Sequence, residues 1–335
     1  MTAQSTRRVG LVLAVVACAI FATSGPVGKT LMEAGIEPQH VSWLRVTGAA
    51  AVLLPVVLLL RGRALIAAWR SSWRLLVAYG AIGMAASQTL FFYAASRLPI
   101  GVAVLLQFSG PLLIIGWTKF VRRRFVPRSA AIGVIISLIG LMIVVEVWAG
   151  LAFDLSGVLA GLGSAVCQAA YFLVIEDLKG SADVLVMTAS GAVVGACVLT
   201  VVTLPWTLPW QAIGGTVTLA GAEISGWLPF LWLVIVCAIL AFLLEGAAVR
   251  RLSAVIAGAI AYVEVVFAAV IAWLLLGENL GPAQIIGGVA VIAGAYIAQR
   301  PAKSDALDTD DQIEFPGMVG ATAMIHDSPR KNGPR

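Results

Sequence analysis

Charge is what this sequence has least of. Asp, Glu, Lys and Arg make up 12% of its 335 residues, against about 25% in an average soluble domain. Water is therefore not the main solvent of this chain. Histidine is scarcer still: His40 lies at the edge of an apolar run and His326 near the C-terminus. No His/Asp, paired-carboxylate or Ser/His/Asp constellation falls at one depth, which argues against a membrane-embedded enzyme. No Gly-x4-Gly-Lys-Ser/Thr loop is present, so no ATP-driven step is expected. The four cysteines, Cys18, Cys167, Cys197 and Cys237, all lie in apolar runs without metal-ligand spacing. They read as small buried hydrophobes, and neither a disulfide, a metal nor a cofactor is expected. Rings of like charge and filter loops, the marks of a channel, are missing too.

What is abundant is apolar sequence. Hydrophobic residues are 60% of the chain, and one span takes roughly 20 of them to cross a ~30 Å hydrocarbon layer. Ten spans are placed at roughly 9–32, 39–60, 74–96, 99–120, 130–147, 155–176, 182–203, 227–248, 253–276 and 282–299. Their continuity points to helices, since barrel strands alternate in short segments. The first run is too long for a cleaved leader and is read as a retained helix.

Lysine and arginine fix the expected orientation. With the N-terminus inside, 19 of the 22 basic residues fall on the cytoplasmic side, the exceptions being Lys29, Arg45 and Arg97. A missed span would destroy that asymmetry, so an even count with both termini cytoplasmic in the inner (plasma) membrane is expected. The basic residues sit in short loops, so the net charge of +5 does not imply nucleic acid. The 204–226 loop carries Pro205, Trp206, Pro209 and Trp210, with the tryptophans as interfacial anchors. The acidic tail beyond Pro301, with Asp305, Asp308, Asp310, Asp311 and Glu314, reads as disordered.

The chain also repeats itself. A shift of 154 positions lays Trp73 on Trp227, Arg97–Leu98 on Arg251–Leu252, Gly133 on Gly287 and Gly140 on Gly294 without a gap. Gly10 and Gly157 open similar runs at a different offset. The expected domains are a cytoplasmic N-terminus at 1–8, five-helix repeats at 9–147 and 155–299, and a cytoplasmic tail at 300–335. Two copies of an odd-numbered unit must enter the membrane in opposite senses. The fold class is thus an all-α integral membrane protein of two inverted five-helix repeats, the construction of many secondary transporters. The expected partners are a small-molecule substrate, the lipid bilayer and, as an option, a second copy of the chain.

Polar groups inside the spans need a reason, because charges near the bilayer centre are costly. Glu264 lies about 12 residues, or ~18 Å, into the ninth span. Arg45 is six residues, or ~9 Å, into the second from the opposite side. In a ~30 Å layer the two come within a few ångströms of one depth, so they are expected to pair or to face a common cavity. Glu264 suits a proton, a substrate ammonium or a neighbouring helix; the alternative for Arg45 is snorkelling to the headgroups. Glu245, just before Arg250 and Arg251, is either an interfacial salt bridge or a proton-release station. Glu146 and Glu176 fall at span ends and read as solvated. Gln88, Gln107 and Gln168 are mid-depth donors and acceptors that either bond across helices or line a polar path. Tyr171 and Tyr262 offer aromatic contact to a substrate or to the core. Gly110–Pro111 is the expected helix break, because proline removes a backbone bond.

Several segments carry a resemblance. They are "FATSGPVGK" at 21–29, Arg45, "RLPIGVAVLLQFSGPLL" at 97–113 and "RRLSAVIAGAIAYVEVVFAAVIAWLLLGENLGPAQIIGGVAVIAGAY" at 250–296. Over about residues 9–300 the chain resembles the ten-helix, two-EamA-domain type of the drug/metabolite transporter superfamily. The resemblance implies secondary transport, often export of amino acids, related metabolites or drugs. One departure is that Val265 follows Glu264 where the family usually has proline. The ninth span is therefore expected to lack the break that Pro111 gives the fourth.

Overall fold

Lipid offers a backbone N–H or C=O no outside partner, so a chain this apolar closes its hydrogen bonds within helices. The computed structural model describes residues 3–98, 100–144, 154–219, 221–276 and 281–299. The expectations for Glu146, for Gly277–Glu278 and for the tail lie outside the described residues.

Helices α1 (Ala3–Ala22) and α2 (Ser24–Glu33) form one run interrupted at Thr23. Helix α3 (Pro38–Ala78) continues through a π-helical segment, Tyr79–Ala86, into α4 (Ser87–Arg97). Helices α5 (Ile100–Gln107) and α6 (Gly110–Gly116), with the π-helical Trp117–Val121, precede α7 (Arg128–Val144). Helices α8 (Leu155–Asp177) and α9 (Val184–Thr203) open the second half. The short α10 (Trp210–Gly214) and a hairpin of β1 (Thr216–Leu219) and β2 (Ala222–Ser225) follow. Then come α11 (Trp227–Leu231), a π-helical Trp232–Leu240 and α12 (Ala241–Arg251). Helices α13 (Ala254–Ala261), α14 (Val263–Leu276) and α15 (Pro282–Ala298) end the unit.

Six runs among the described residues are long and apolar enough to cross a membrane, and three more apolar helices are shorter. The longest run, Pro38–Ala94, has 57 residues, about 85 Å if straight and far beyond a ~30 Å layer. It folds back instead. Arg61 and Ser72 leave helical backbone angles, and Val46 before the bends and Met84 after them both lie against Gly195 of α9. The nine runs differ from the ten expected spans at this segment.

The ends of the bundle are chemically distinct. At one end Arg61 pairs with Asp183 at 4.0 Å, and Arg122 with Asp177 at 2.6 Å and Glu176 at 3.5 Å. Arg250 there donates to Ala182 O. The 61–74 and 119–128 segments therefore share this basic end. Glu176, expected to be merely solvated, is an ion-pair partner of Arg122 and Arg124. At the opposite, hairpin end, buried His40 bonds through Nε2 with Thr203 O at 3.0 Å. Trp43 and Trp210 meet edge to face there, and Trp206 and Trp210 are exposed. Within the long outer loop expected at 204–226 the chain forms a short helix and a two-stranded hairpin. Away from lipid the Thr/Val-rich Thr216–Leu219 can take the extended form that β-branched residues favour, turning on Gly221 at φ +79°.

Two caps start the second half. Asp154 accepts from Gly157 N at 2.9 Å, and the Ser156 hydroxyl, then that N–H, hold its carboxyl below the usual range. Asp183 accepts from Val186 N at 2.9 Å at the start of α9. Asp183→Ala leaves that N–H unpaired and is expected to cost about 1 kcal/mol, read as a lower melting temperature in detergent. An unchanged melt would show that Asp183 does not hold the start of α9.

The halves interlock through the repeat. A Cβ on Gly10 would touch Arg251 and Leu252, and one on Gly157 would touch Arg97 and Leu98. The Arg-Leu pairs correspond under the shift and the two glycines at an offset of 147, so each half packs the opening glycine of one repeat on the Arg-Leu turn of the other. Helices α7 and α15 run antiparallel, Gly133 against Gly294 and Gly140 against Gly287. The shift exchanges those two contacts, so a pseudo-twofold axis passes between the helices and the repeats are inverted.

Candidate functional site

The same shift locates the centre of the molecule. The π-helical segments Tyr79–Ala86 and Trp232–Leu240 are equivalent positions in the two halves. The fourth span breaks at Phe108–Ser109, between α5 and α6, and the ninth at Tyr262, between α13 and α14. Phe108 and Tyr262 are equivalent, and their rings meet at 5.9 Å. The two breaks thus touch each other near the axis. The break at Tyr262 corrects the expectation that a span without proline stays continuous. Here Val265 N bonds to Tyr262 O at 3.1 Å, a tighter turn that needs no proline. In the first half, Pro111 sits in the first turn of α6, where its missing N–H costs nothing.

The break puts Glu264 in the first turn of α14, where unpaired N–H groups favour a carboxylate. Around it lie groups from other spans. Cys18 of α1 donates to Ile260 O at 3.7 Å. Thr23, at the break between α1 and α2, bonds with Cys237 Sγ at 3.3 Å and accepts from Trp232 Nε1 at 3.0 Å. Glu264 lies within electrostatic reach of Arg45 and Glu245, and Arg45 within reach of Cys237.

Arg45 is 8% exposed. It does not snorkel. Its Nε is buried without a hydrogen-bond partner, and none of its nitrogens closes an ion pair with a described carboxylate, Glu264 included. A buried arginine that closes no ion pair among the described residues is costly, so its retention needs a purpose.

A second polar group lies toward the basic end. Tyr171 donates to Glu245 Oε2 at 2.7 Å. Glu245 does not pair with its neighbours: Arg250 is held by Ala182 O and Arg251 by Ala247 O. The interfacial salt-bridge reading of Glu245 is corrected accordingly. Tyr171 stacks on Tyr79 at 5.3 Å and meets Phe242 edge to face. Gly83 makes room for it, since a Cβ there would fall 2.4 Å from the Tyr171 ring. Thr188 lines a small void with Val46, Met84, Ala192 and Phe242. The hydroxyls of Tyr79 and Thr188 are buried and close no hydrogen bond of good geometry among the described residues.

The other expected residues fall around this centre. Gln168 lies beside Gly110, with Oε1 buried and unpartnered. Gln88 and Gln107 are partly accessible. Tyr262 is fully buried against Phe108, with an unpartnered hydroxyl. The cysteines are free. Cys197 is exposed rather than buried as expected, because its place on α9 faces outward. No cluster able to hold a metal occurs among the described residues. Sequence reading missed Tyr79, Thr188 and Thr23, whose roles depend on which spans adjoin. A signal for Tyr79 was present in Tyr79-Gly80 and Gly83, glycines beside an aromatic within one span.

Residues 8–146 and 155–299 each match the EamA-like transporter family. The chain belongs to that family. Among its relatives is the threonine/homoserine exporter RhtA of Escherichia coli (strain K12), 28% identical over 247 residues, or 70% of this chain and 77% of that protein. RhtA of Salmonella typhimurium (strain LT2) matches to the same extent. A solved crystal structure at 20% identity superposes with a TM-score of 0.70, covering 89% of this chain and 99% of that one, and so shares the fold. An EamA-like chain with these apolar helices is a multi-pass membrane protein. Its family and these relatives are transporters.

Proposed function

We propose that this EamA-like protein is a secondary exporter of amino acids that exchanges substrate for a proton. The observation that carries the reading is Arg45, buried, with an Nε that has no hydrogen-bond partner among the described residues, within electrostatic reach of Glu264 but not bonded to it. Opposite charges held apart in a low-dielectric interior leave both poles for a ligand. A zwitterion supplies the two complements, its carboxylate to Arg45 and its ammonium to Glu264. Charge-assisted bonds of this kind are worth about 1.5–3 kcal/mol each. The threonine/homoserine exporters among the relatives support the amino-acid class.

Glu264 holds either a proton or an ammonium. That exclusion couples the two movements: substrate from the cytoplasm displaces the proton inward, and a proton from outside displaces substrate outward. The positive-inside rule supports the arginine-rich end as the cytoplasmic one, in keeping with an inner-membrane protein. The inverted halves supply two near-equivalent states. The touching breaks at Phe108–Ser109 and Tyr262 are the points about which the halves rock.

The test is a panel of amino acids, threonine and homoserine included, in proteoliposomes with and without an imposed pH gradient. The wild-type protein is expected to exchange substrate and to accelerate in the gradient, and Glu264→Gln to lose the acceleration. Gradient-driven flux that persists unchanged in Glu264→Gln would remove that residue as the shared site.

A further inference from the structure

Glu245 is a carboxylate that the substrate site does not use. It lies six residues, or about 9 Å, from the basic end of α12. Tyr171 holds it at 2.7 Å, while Arg250 and Arg251, the basic residues next along its helix, are committed to backbone carbonyls. Its side chain is partly accessible, and Glu264 lies within its electrostatic reach. It therefore stands between the central site and the basic end.

Four groups on other elements interact with Glu245. They are Cys18 of α1, Tyr171 of α8, Tyr79 of the segment that stacks on Tyr171, and Glu264 of α14. The neighbouring elements also carry Asp183, the N-cap of α9, Thr188 in α9, Arg250 and Arg251 at the end of α12, and Cys237 in the π-helical segment before it. Helix α13 contributes no titratable side chain. The one cation that could neutralise Glu245 from its own helix, Arg250, is turned toward Ala182. Tyr79 and Thr188 are 0% and 1% exposed, and among the described residues their hydroxyls close no hydrogen bond of good geometry, although they approach one another. The Tyr79 hydroxyl lies beside Tyr171 Oη and Thr188 Oγ1. Unsatisfied hydroxyls next to a bonded Tyr–Glu pair are the donors and acceptors along which a proton or a bridging water can be passed.

We infer that Glu245, with Tyr171, Tyr79 and Thr188, is the proton station through which the proton displaced from Glu264 leaves to the cytoplasm. This rests on the exchange reading of Glu264. The balance is simple. The substrate ammonium takes the Glu264 carboxylate, and the proton leaving that carboxyl is accepted by Glu245. Glu245 then releases it to cytoplasmic water, assisted by the hydroxyls beside it. No redox partner is involved, and one proton crosses for each substrate. Tyr171 acts as a positioning residue: it fixes the Glu245 rotamer and donates to the ionised form.

The test compares two fluxes in the same proteoliposomes. Substrate–substrate exchange without a gradient reports binding and alternation, whereas pH-gradient-driven net export also requires proton release. Glu245→Gln is expected to lower gradient-driven export at least tenfold and to leave exchange within about twofold of wild type. Tyr171→Phe keeps the ring and its stacking; it is expected to flatten the pH dependence of export, with KM for substrate unchanged. Three results would overturn the station. In the first, Glu245→Gln exports like wild type while Glu264→Gln does not, which sinks the station and spares the exchange reading. In the second, Glu245→Gln loses exchange as well, which makes Glu245 a substrate or folding residue. In the third, wild type shows no response to the gradient, which sinks both readings.

Discussion

Replacing Arg45 by methionine is expected to leave the protein at least as stable as wild type while removing its grip on substrate. The two effects have opposite signs for one physical reason. Methionine keeps much of the length and apolar stem of arginine without a charge to desolvate. Arg45 is buried, its Nε has no hydrogen-bond partner and it closes no ion pair among the described residues, so deleting its charge breaks no described bond and lifts part of the several-kcal/mol penalty of a buried ion. Partial relaxation around the site makes a gain of about 1 kcal/mol the reasonable expectation, roughly 2–4 °C in melting temperature for a soluble domain of 150–250 residues. On the functional side, losing charge-assisted bonds to a carboxylate costs about 1.5–3 kcal/mol, or roughly 10–150-fold in affinity. The measurement is apparent melting in detergent with and without amino acid, beside exchange kinetics in proteoliposomes. Wild type should be stabilised by substrate and Arg45→Met should not. A lower melting temperature for Arg45→Met would mean that the arginine holds the fold together, and the substrate reading of this residue would fall.

The largest effect on folding is expected where the two halves meet. A Cβ on Gly133 would lie 2.4 Å from Gly294 O and Ala298 N, and one on Gly140 would lie 2.7 Å from Gly287 O and Val291 N. The obstructing atoms are backbone on both sides, so no rotamer change relieves the clash, and the antiparallel α7 and α15 must separate along their length. Overpacking of this kind costs typically 1–3 kcal/mol and occasionally more. For Gly133→Val and Gly294→Val we expect the upper end or beyond, seen as loss of the monodisperse peak on size exclusion. Gly116→Ala is the control. Its backbone is helical at φ −57° and ψ −50°, and nothing lies within 4 Å of an added Cβ. It should be neutral or stabilise by about 0.4–1 kcal/mol. Equal behaviour of the Gly133 and Gly116 variants would show that the glycine seam is not a structural contact.

The repeat explains why so much of this could be read in advance. Glycines at 133, 140, 287 and 294, and the Arg-Leu pairs at 97 and 251, stand in register because duplicated halves pack on each other by the same contacts. Arg45 and Glu264 were legible as costly charges, since an apolar run makes an ionisable residue conspicuous. Glu245 was legible as either a salt bridge to two nearby arginines or a proton-release station, and the salt-bridge reading misled: the adjacent arginines are held by backbone carbonyls, and Tyr171, 74 positions away, is its partner. Proline likewise misled at the ninth span, because a break follows from how backbone carbonyls are shared at a crossing and not from proline alone.

By itself, then, the sequence determined the solvent, the helical class, the duplication and the small set of charges that lipid makes expensive. These follow from composition and period, which need no knowledge of which span lies beside which. Only the tertiary structure decided that the two helix breaks touch through Phe108 and Tyr262, that the Arg45 Nε is left without a partner among the described residues, and that Tyr171 reaches Glu245. Such pairings are set by the packing of spans distant along the chain, where glycines allow backbones to approach closely and side chains from several helices to meet at one depth.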